Sequence, residues 1–293
     1  MRNLSILFSF ILLVFNNVKA QTYKTDTILN QCFSKETDIY FSAALNAVYH
    51  QDKMFSAPTY NGLGADVRIG FQKRKINSIS QLQFSFGSAI LYNNLQALHN
   101  YAQYYNFSSL FQKVYHINKY KGKKNSIYLG WQLYQSGIFN VNKQLQNSAL
   151  AYAFYFSTSP IFRAERILNL NNKQIFFLKK NYPLRLSYHA SFPLCSYLSR
   201  PNYNGISHMV DGTGNILQYT IVNDMVKNFK VYTLNRFIAF DNKVELQYIM
   251  KNNNKWSLQY SWAFQAFNKP YYQYRNVYSG VFISFYGNLK SLE

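Results

Sequence analysis

The sequence predicts an all-β protein: an antiparallel transmembrane β-barrel of about 12 strands. Aromatic residues make up 19% of the 293 residues, whereas charged residues reach only 14%, well below the roughly 25% of a typical soluble domain. Large apolar residues alternate with small or neutral polar ones over many segments of about ten residues, the length of a tilted membrane strand. Beyond the N-terminus, no segment approaches the roughly 18 consecutive apolar residues of a membrane helix.

Residues 1–20 have the features of a secretory signal peptide. Arg2 gives a positive start, residues 4–15 form an apolar core, and Val18 and Ala20 place small residues before a cleavage site at Gln21. The core is shorter than the ~20 residues of a spanning helix. We therefore expect an exported chain, and an exported chain without such a helix enters a membrane as a closed barrel.

The alternation is clearest in residues 256–265, where every second residue is a large apolar one. The other face of such segments is mostly Ser, Gln, Gly, Ala and Tyr. In a soluble β-sandwich, the alternative fold, that face would meet water and carry charges, and the strands would be about 5–6 residues long. The pattern instead favours a narrow barrel interior, with lipid on the apolar face. Aromatic residues near strand ends suit the two membrane interfaces, and these are Tyr92, Trp256, Tyr278 and Tyr286.

The barrel domain is predicted to occupy residues 62–293, after an N-terminal segment, 21–61, that forms a short helix or an extra strand. The predicted strands are 63–72, 78–92, 104–118, 125–139, 147–157, 161–179, 183–193, 214–222, 229–240, 243–250, 255–267 and 277–287. Splitting 161–179 and adding 38–48 gives 14 strands, the alternative, because bacterial barrels have even strand numbers.

An even strand number also predicts the sides of the loops. With the C-terminus in the periplasm, residues 268–276 and 193–213 become extracellular loops, the second being the longest connection, and residues 251–255 become a periplasmic turn. Asp241 and Asn242 are predicted to form a tight outer hairpin.

The chain is strongly basic, with 31 Lys and Arg against 11 Asp and Glu and a formal net charge of +20. These charges are scattered in turns such as residues 73–75, which argues against nucleic acid and favours outer-membrane lipid and lipopolysaccharide as partners. Two cysteines, Cys32 and Cys195, do not make a disulfide framework and are interpreted as free. The five histidines show no zinc-like spacing. We expect a monomer without metal or cofactor.

The signal ending in Val18-Lys19-Ala20, the Tyr-, Phe-, Asn- and Lys-rich body of alternating strands and the final strand from Val277 to Phe285 resemble the small outer-membrane barrels of Bacteroidota-type Gram-negative bacteria. The resemblance covers most of the mature chain and rests on pattern, without a diagnostic motif. It implies a barrel in the cell outer membrane and no particular activity.

A shorter stretch, from His189 and Ser191 to Asn202 and Asn204, is similar to outer-membrane phospholipase A. That resemblance implies Ser191 as nucleophile, His189 as base and either asparagine as the orienting group. Two features oppose it. The alternation directs His189 and Ser191 into the lumen, whereas the phospholipase has its site on the outer face, and Phe192-Pro193 replaces the family's glycine. We therefore predict that the chain is not an enzyme.

Charged and titratable residues on the inward faces are the candidate functional residues. They are Asp66, Arg68, Arg163, Glu165, Arg185, His189 and Glu245. Since an unpaired buried charge is costly, the acids and arginines are expected to pair across the lumen instead of forming an ion-selective ring. The predicted function is the passage or binding of a small solute, or a structural part of the envelope.

Overall fold

The computed structural model describes residues 35–53, 59–93, 101–117, 125–142, 150–169, 183–200, 229–233, 236–267 and 273–289. Several parts of the sequence interpretation lie outside these residues: the signal peptide, Cys32, Asn202, Asn204, the strand 214–222, residues 170–179 of the strand 161–179, and most of the two predicted extracellular loops. Within the described ranges, no helix is long and apolar enough to cross a membrane.

β-strands account for nearly all of the described chain. They are β1 (Glu36–Asp52), β2 (Tyr60–Lys75), β3 (Ser78–Asn93), β4 (Tyr101–His116), β5 (Asn125–Val141), β6 (Leu150–Asn169), β7 (Pro183–Ser191), β8 (Cys195–Ser199), β9 (Lys230–Thr233), β10 (Phe237–Ile249), β11 (Lys255–Phe267) and β12 (Tyr274–Asn288). Most of them are longer than the 9–11 residues or so that a tilted strand needs to cross a membrane.

Ten of these strands close into an antiparallel barrel. Each strand from β1 to β6 pairs with the next one, β7 then pairs with β10, and β10, β11 and β12 continue the ring back to β1. The closing pair runs from Asp38 opposite Asn288 to Asp52 opposite Tyr274. Because the number of strands in the ring is even, β1 begins and β12 ends at the same end of the barrel, which we call the terminal end.

The ring therefore has ten strands, not the 12 or 14 that the sequence predicts. β8 and β9 stand outside it: β8 pairs with the N-terminal half of β6 and with β9. Residues 147–157 and 161–179, predicted as separate strands, contribute to one strand of 20 residues, β6, which runs through Pro160. A proline, which has no backbone N–H, is tolerated there because the ladder on one side of β6 is interrupted at this point, between the pairs with β7 and those with β8.

Two further segments differ from the expected organisation. β1 occupies part of the N-terminal segment and is a strand, because its residues alternate between buried and exposed over its whole length. Asp241 and Asn242 do not form a hairpin but lie inside β10, paired with Ser191 and Ala190. Neither residue requires a turn, because Asp241 faces inward and Asn242 faces outward, as the alternation of β10 demands.

The register of the ring fixes the shape of the barrel. Starting at Glu36 and following paired residues once around the ring leads back to β1 at Val48, twelve residues further along the strand. Such a stagger tilts the strands by roughly 35–45°. Barrels of about 8 strands are filled by side chains, whereas those of 16–18 hold an aqueous channel. A ten-stranded interior belongs near the first case.

The outer surface is apolar. Large hydrophobic side chains are exposed on β1 to β6 and on β10 to β12, and they include Leu45 at 78% and Leu63 at 76% relative exposure. An exposed apolar surface of this extent marks contact with lipid. Tyr92 and Trp256 face outward, as predicted. Tyr278 and Tyr286 do not: both lie on the inward face of β12, where their hydroxyls bind Asp66 and Glu245.

An arginine in this apolar surface is expected to destabilise the barrel. Phe84 is 51% exposed in the middle of β3, whereas Ile76 is 58% exposed in the turn between β2 and β3. Phe84→Arg should cost about 2–4 kcal/mol, the usual cost of an arginine near the bilayer midplane. Ile76→Arg, the matched control, should cost about 0–1 kcal/mol because the turn lies at the interface. Reversible unfolding in lipid vesicles measures both, and equal costs would exclude a lipid-facing β3.

Candidate functional site

The candidate functional residues all belong to inward faces of the barrel. Arg163, Glu165, Arg185 and Glu245 lie near the terminal end and are buried. Asp66 and Arg68 border a cavity in the middle of the lumen. His189 is buried between these two regions, opposite Arg163 of β6 and Lys243 of β10. Their place in the lumen is shown by the structure, whereas their functional role stays a prediction.

A charged layer crosses the lumen at the terminal end. It consists of eight residues, each at most 8% exposed: Glu36, Asp38, Arg74, Arg163, Glu165, Arg185, Glu245 and Lys255. Four of them are acids and four are bases, so the charges balance. Because the members come from β1, β2, β6, β7, β10 and β11, the layer connects strands on opposite sides of the ring.

Glu165 is the most strongly bonded acid of this layer. The two terminal nitrogens of Arg74 donate one hydrogen bond each, both of 2.8 Å, to the two carboxylate oxygens of Glu165. The Nε atom of Arg163 donates a further hydrogen bond of 2.8 Å. Bidentate, charge-assisted bonds of this kind are among the strongest in proteins. Glu165 therefore ties β2 to β6 across the lumen.

A second group of contacts joins β1 to β11. The Nζ atom of Lys255 lies 2.9 Å from Glu36 and 2.5 Å from Asp38. Glu36 is also 4.0 Å from Arg74 and 3.9 Å from Arg185, which links the two groups of contacts. Seven of the eight side chains are consequently one connected network, and Glu245 joins it through Gln247, which accepts a hydrogen bond from Arg185 and donates one to Glu245.

Four members of the charged layer were not among the predicted lumen residues. Glu36 and Asp38 lie in the segment that the sequence leaves as a helix or a strand. Arg74 and Lys255 lie at strand ends, where charges resemble those of solvated turns. The signal that identifies them is their position on the inward face of their strands. Lys255 already lies in the predicted strand 255–267, whereas Arg74 and Glu36 join the inward faces once strands 63–72 and 38–48 are extended by two residues.

The middle of the lumen contains a cavity of about 90 Å³. Its wall is rich in hydroxyl groups, from Ser85, Ser108, Ser136, Ser157, Ser159, Ser191, Ser261, Tyr104, Tyr134, Tyr155 and Tyr278. Two acids and two bases also border it, namely Asp66, Asp241, Arg68 and Lys243, so its wall has no net charge. The volume is below the ~150 Å³ of a protein cavity that holds benzene, which limits the enclosed space to a group of a few heavy atoms.

Two side-chain oxygens in the cavity wall have no hydrogen-bond partner among the described residues. They are Oε1 of Gln132 and Oγ of Ser261, two residues that are 4% and 2% exposed. Buried polar atoms are normally bonded, and their cost when unpaired is about 1–3 kcal/mol. The cavity therefore presents side-chain oxygens that the described residues leave without a hydrogen-bond partner.

The end of the lumen opposite the charged layer is aromatic. A buried cluster there contains Tyr60, Tyr104, Tyr155, Phe237, Phe267 and Tyr274. Beside it, Arg200 forms an ion pair with Asp52 and lies over the ring of Tyr274, with its guanidinium carbon 4.9 Å from the ring centre. The cavity is thus bounded along the barrel axis by charges on one side and aromatic rings on the other.

Ser191 and His189 do not form a nucleophile–base pair in this structure. The Oγ atom of Ser191 accepts a hydrogen bond of 2.8 Å from the side-chain amide of Gln132. Neither ring nitrogen of His189 has a hydrogen-bond partner among the described residues. Within the same part of the chain, no group of three or more His, Cys, Asp or Glu side chains is placed to hold a metal ion.

These features define a narrow, closed β-barrel of the membrane-spanning type with a polar lumen. Similar solved structures include the translocator domain of the autotransporter NalP from Neisseria meningitidis, which is 7% identical over 85% of this chain and 88% of its own, with a TM-score of 0.36. An outer-membrane channel from Pseudomonas putida F1 is 8% identical over 86% of this chain and 96% of its own, with a TM-score of 0.34. The transport unit of the autotransporter AIDA-I from Escherichia coli is 6% identical over 84% of this chain and 89% of its own, with a TM-score of 0.34. No protein-family model and no curated protein matches the sequence.

Removing one acid from the charged layer is expected to destabilise the barrel strongly. Glu165→Ala leaves the guanidinium groups of Arg74 and Arg163 buried without their main partner, and breaking a buried pair this way costs about 3–5 kcal/mol. Asp241→Ala is the matched control, since its pair with Lys243 at 3.0 Å is partly exposed and such pairs are worth about 0–1 kcal/mol. Denaturant unfolding in vesicles measures the difference, and similar losses would contradict a network centred on Glu165.

Proposed function

We propose that this chain is an outer-membrane β-barrel that takes a small polar solute into its lumen and passes it across the charged layer. The observation that carries the proposal is the cavity, whose wall holds buried polar atoms without protein partners. A barrel with a purely structural role has no need to leave such atoms unpaired, because each one lowers its stability.

The membrane location is supported by the outer surface. Exposed leucine, isoleucine and phenylalanine side chains surround the ring, and the closed pairing leaves none of its ten strands with an open edge along its full length. A basic chain of this kind suits the phosphates of outer-membrane lipid and lipopolysaccharide. Since the ring is complete within one chain, we propose a monomer.

The charged layer is proposed to be the barrier to passage. Its eight side chains lie across the lumen of a ring too narrow for an aqueous channel, and seven of them hold one another by direct hydrogen bonds and ion pairs. A solute crosses only when some of these bonds open. The arrangement is therefore one of restricted passage, unlike that of a general porin.

Shortening the charged layer is expected to raise the conductance of the barrel. In planar bilayers the unmodified chain should show no stable open-channel current. The double variant Arg74→Ser with Glu165→Ser, which preserves net charge and removes most of the bulk of one ion pair, should show a steady current. The readout is single-channel recording, after heat-modifiable migration on a gel has shown that each variant is folded.

The matched control for this test is Asp241→Ser with Lys243→Ser. It removes an ion pair of the same kind that borders the cavity and lies outside the charged layer, so its current should stay at the unmodified level. Large steady currents from the unmodified chain would reject the barrier. Absence of current in both double variants would favour a structural barrel without passage.

We further propose that the chain is not a lipid hydrolase, because Ser191 is bonded to Gln132 and not to His189. The full chain in detergent micelles should hydrolyse a p-nitrophenyl ester at the same rate as its Ser191→Ala variant. Ser187→Ala, on the same inward face of β7, is the control. Hydrolysis that disappears in Ser191→Ala and His189→Ala, but persists in the control, would establish the enzyme instead.

A further inference from the structure

Asp66 and Arg68 carry opposite charges on the inward face of β2, two residues apart, yet the described structure has no ion pair between them. Opposite charges at the same spacing do meet in β6 and in β10, where the nitrogen and oxygen atoms are 2.8 Å and 3.0 Å apart. Because a charge in a narrow interior gains from a partner, the separation of Asp66 from Arg68 needs a structural cause.

The carboxylate of Asp66 is held by residues of β12 and β3. The hydroxyl of Tyr278 donates a hydrogen bond to its Oδ2 atom. Its Oδ1 atom lies over Gly87, the residue opposite in β3, where a Cβ atom would overlap it. Asp66 is only 5% exposed. The absence of a side chain at Gly87 therefore makes room for this carboxylate and directs it away from Arg68.

The guanidinium group of Arg68 is held by an aromatic ring. Its central carbon lies 3.3 Å from the centre of the ring of Phe282, a buried residue of β12, in a cation–π contact. Its Nε atom has no hydrogen-bond partner among the described residues. Since Phe282 covers one face of the guanidinium, the N–H groups at its edge remain directed toward other partners.

The cavity in the middle of the lumen borders both of these side chains. The other two charges of its wall, Asp241 and Lys243, already form an ion pair with each other. Oε1 of Gln132 adds to the same wall a buried acceptor without a partner. Asp66 and Arg68 thus remain at the cavity as one negative and one positive charge without a salt-bridge partner among the described residues.

The balance of charge restricts what such a cavity can hold. A lone anion beside Arg68 would give the site a net negative charge, and a lone cation beside Asp66 would give it a net positive one. A net charge buried in a narrow interior is costly. A molecule that carries both signs compensates both side chains and keeps the sum at zero.

We propose that this cavity binds a small zwitterion, a molecule of the glycine type in which an ammonium and a carboxylate group are joined by a short carbon link. The carboxylate accepts hydrogen bonds from the guanidinium of Arg68, and the ammonium donates to the carboxylate of Asp66. The enclosed volume of about 90 Å³ excludes a zwitterion with a large side chain. This inference rests on the proposed uptake of a polar solute and names its chemical class.

The test is equilibrium dialysis of the full chain, folded in detergent micelles, against radiolabelled glycine. Unlabelled glycine should displace the label. Acetate and methylamine, which each carry only one of the two charges, should displace it poorly, and leucine should fail because its side chain exceeds the cavity. Displacement by acetate or methylamine at the same concentration as glycine would overturn the zwitterion.

Two variants should reverse the preference of the site. Asp66→Asn leaves the guanidinium in excess, so glycine should bind about tenfold more weakly or worse and acetate should bind in its place. Arg68→Gln should lose glycine to a similar extent and bind methylamine instead. Lys73→Gln is the matched control, because it removes a charge from the exposed face of the same strand, and its binding of glycine should be unchanged.

A reversed preference cannot arise from misfolding, and heat-modifiable migration shows in addition that each variant is folded. Glycine binding that survives both lumen variants would place the ligand elsewhere and reject the site. If glycine fails to bind while Arg74→Ser with Glu165→Ser conducts, the zwitterion is rejected and the passage of another solute stands. If glycine fails to bind and that double variant shows no current, both proposals fail.

Discussion

Closure of the ring between β1 and β12 is the constraint on which the rest of the structure depends. Within hydrocarbon there is no water to bond an unpaired N–H or C=O group, and each one costs several kcal/mol. The pairing from Asp38–Asn288 to Asp52–Tyr274 removes two edges that would otherwise be exposed along a whole strand. Once the ring is closed, the pleat assigns every second residue to lipid and every other one to a narrow interior. The side chains of leucine and phenylalanine are exposed for that reason, and the charges are buried for the same reason.

Burial in so narrow an interior determines how the charges are arranged. A lone guanidinium or carboxylate there would lose its hydration without compensation. The charged layer avoids this because its acids and bases are equal in number and in contact with one another. Glu36, for example, lies within 4.0 Å of three bases, Arg74, Arg185 and Lys255. Bonds that cross the lumen also hold distant strands at a fixed separation, so the layer contributes rigidity at the terminal end. The middle of the lumen differs because hydroxyls and amides tolerate incomplete bonding at a lower cost than charges do.

The sequence predicts the faces of this barrel better than its strand count. Alternation places Arg163, Glu165, Arg185 and Glu245 inward because the side-chain period of a strand is fixed at two. It does not reveal which charges meet, since Arg74 and Glu165 are 91 residues apart and only the register of the closed ring brings them together. Strand ends are equally hard to read, because a charge at the end of a lumen-facing strand and a charge in a turn have the same local sequence. Arg74 and Lys255 are missed on that ground.

The error in the count has several origins: β1 lies in a segment outside the 12 predicted strands, while β6 and β10 each continue through a position where the sequence predicts a break. The bulge between β7 and β8 is a further feature that the sequence does not reveal. One extra residue reverses the facing of the chain after Ser191, so that a segment with strand-like alternation continues along β6 without joining β10. Alternation alone cannot report this, because both β7 and β8 alternate correctly on either side of the reversal. The same residue explains how β6 carries Pro160 in its interior, since the interrupted ladder needs no donor there. Bulges are features that re-aim side chains beside functional sites, and here the re-aimed segment adjoins the cavity.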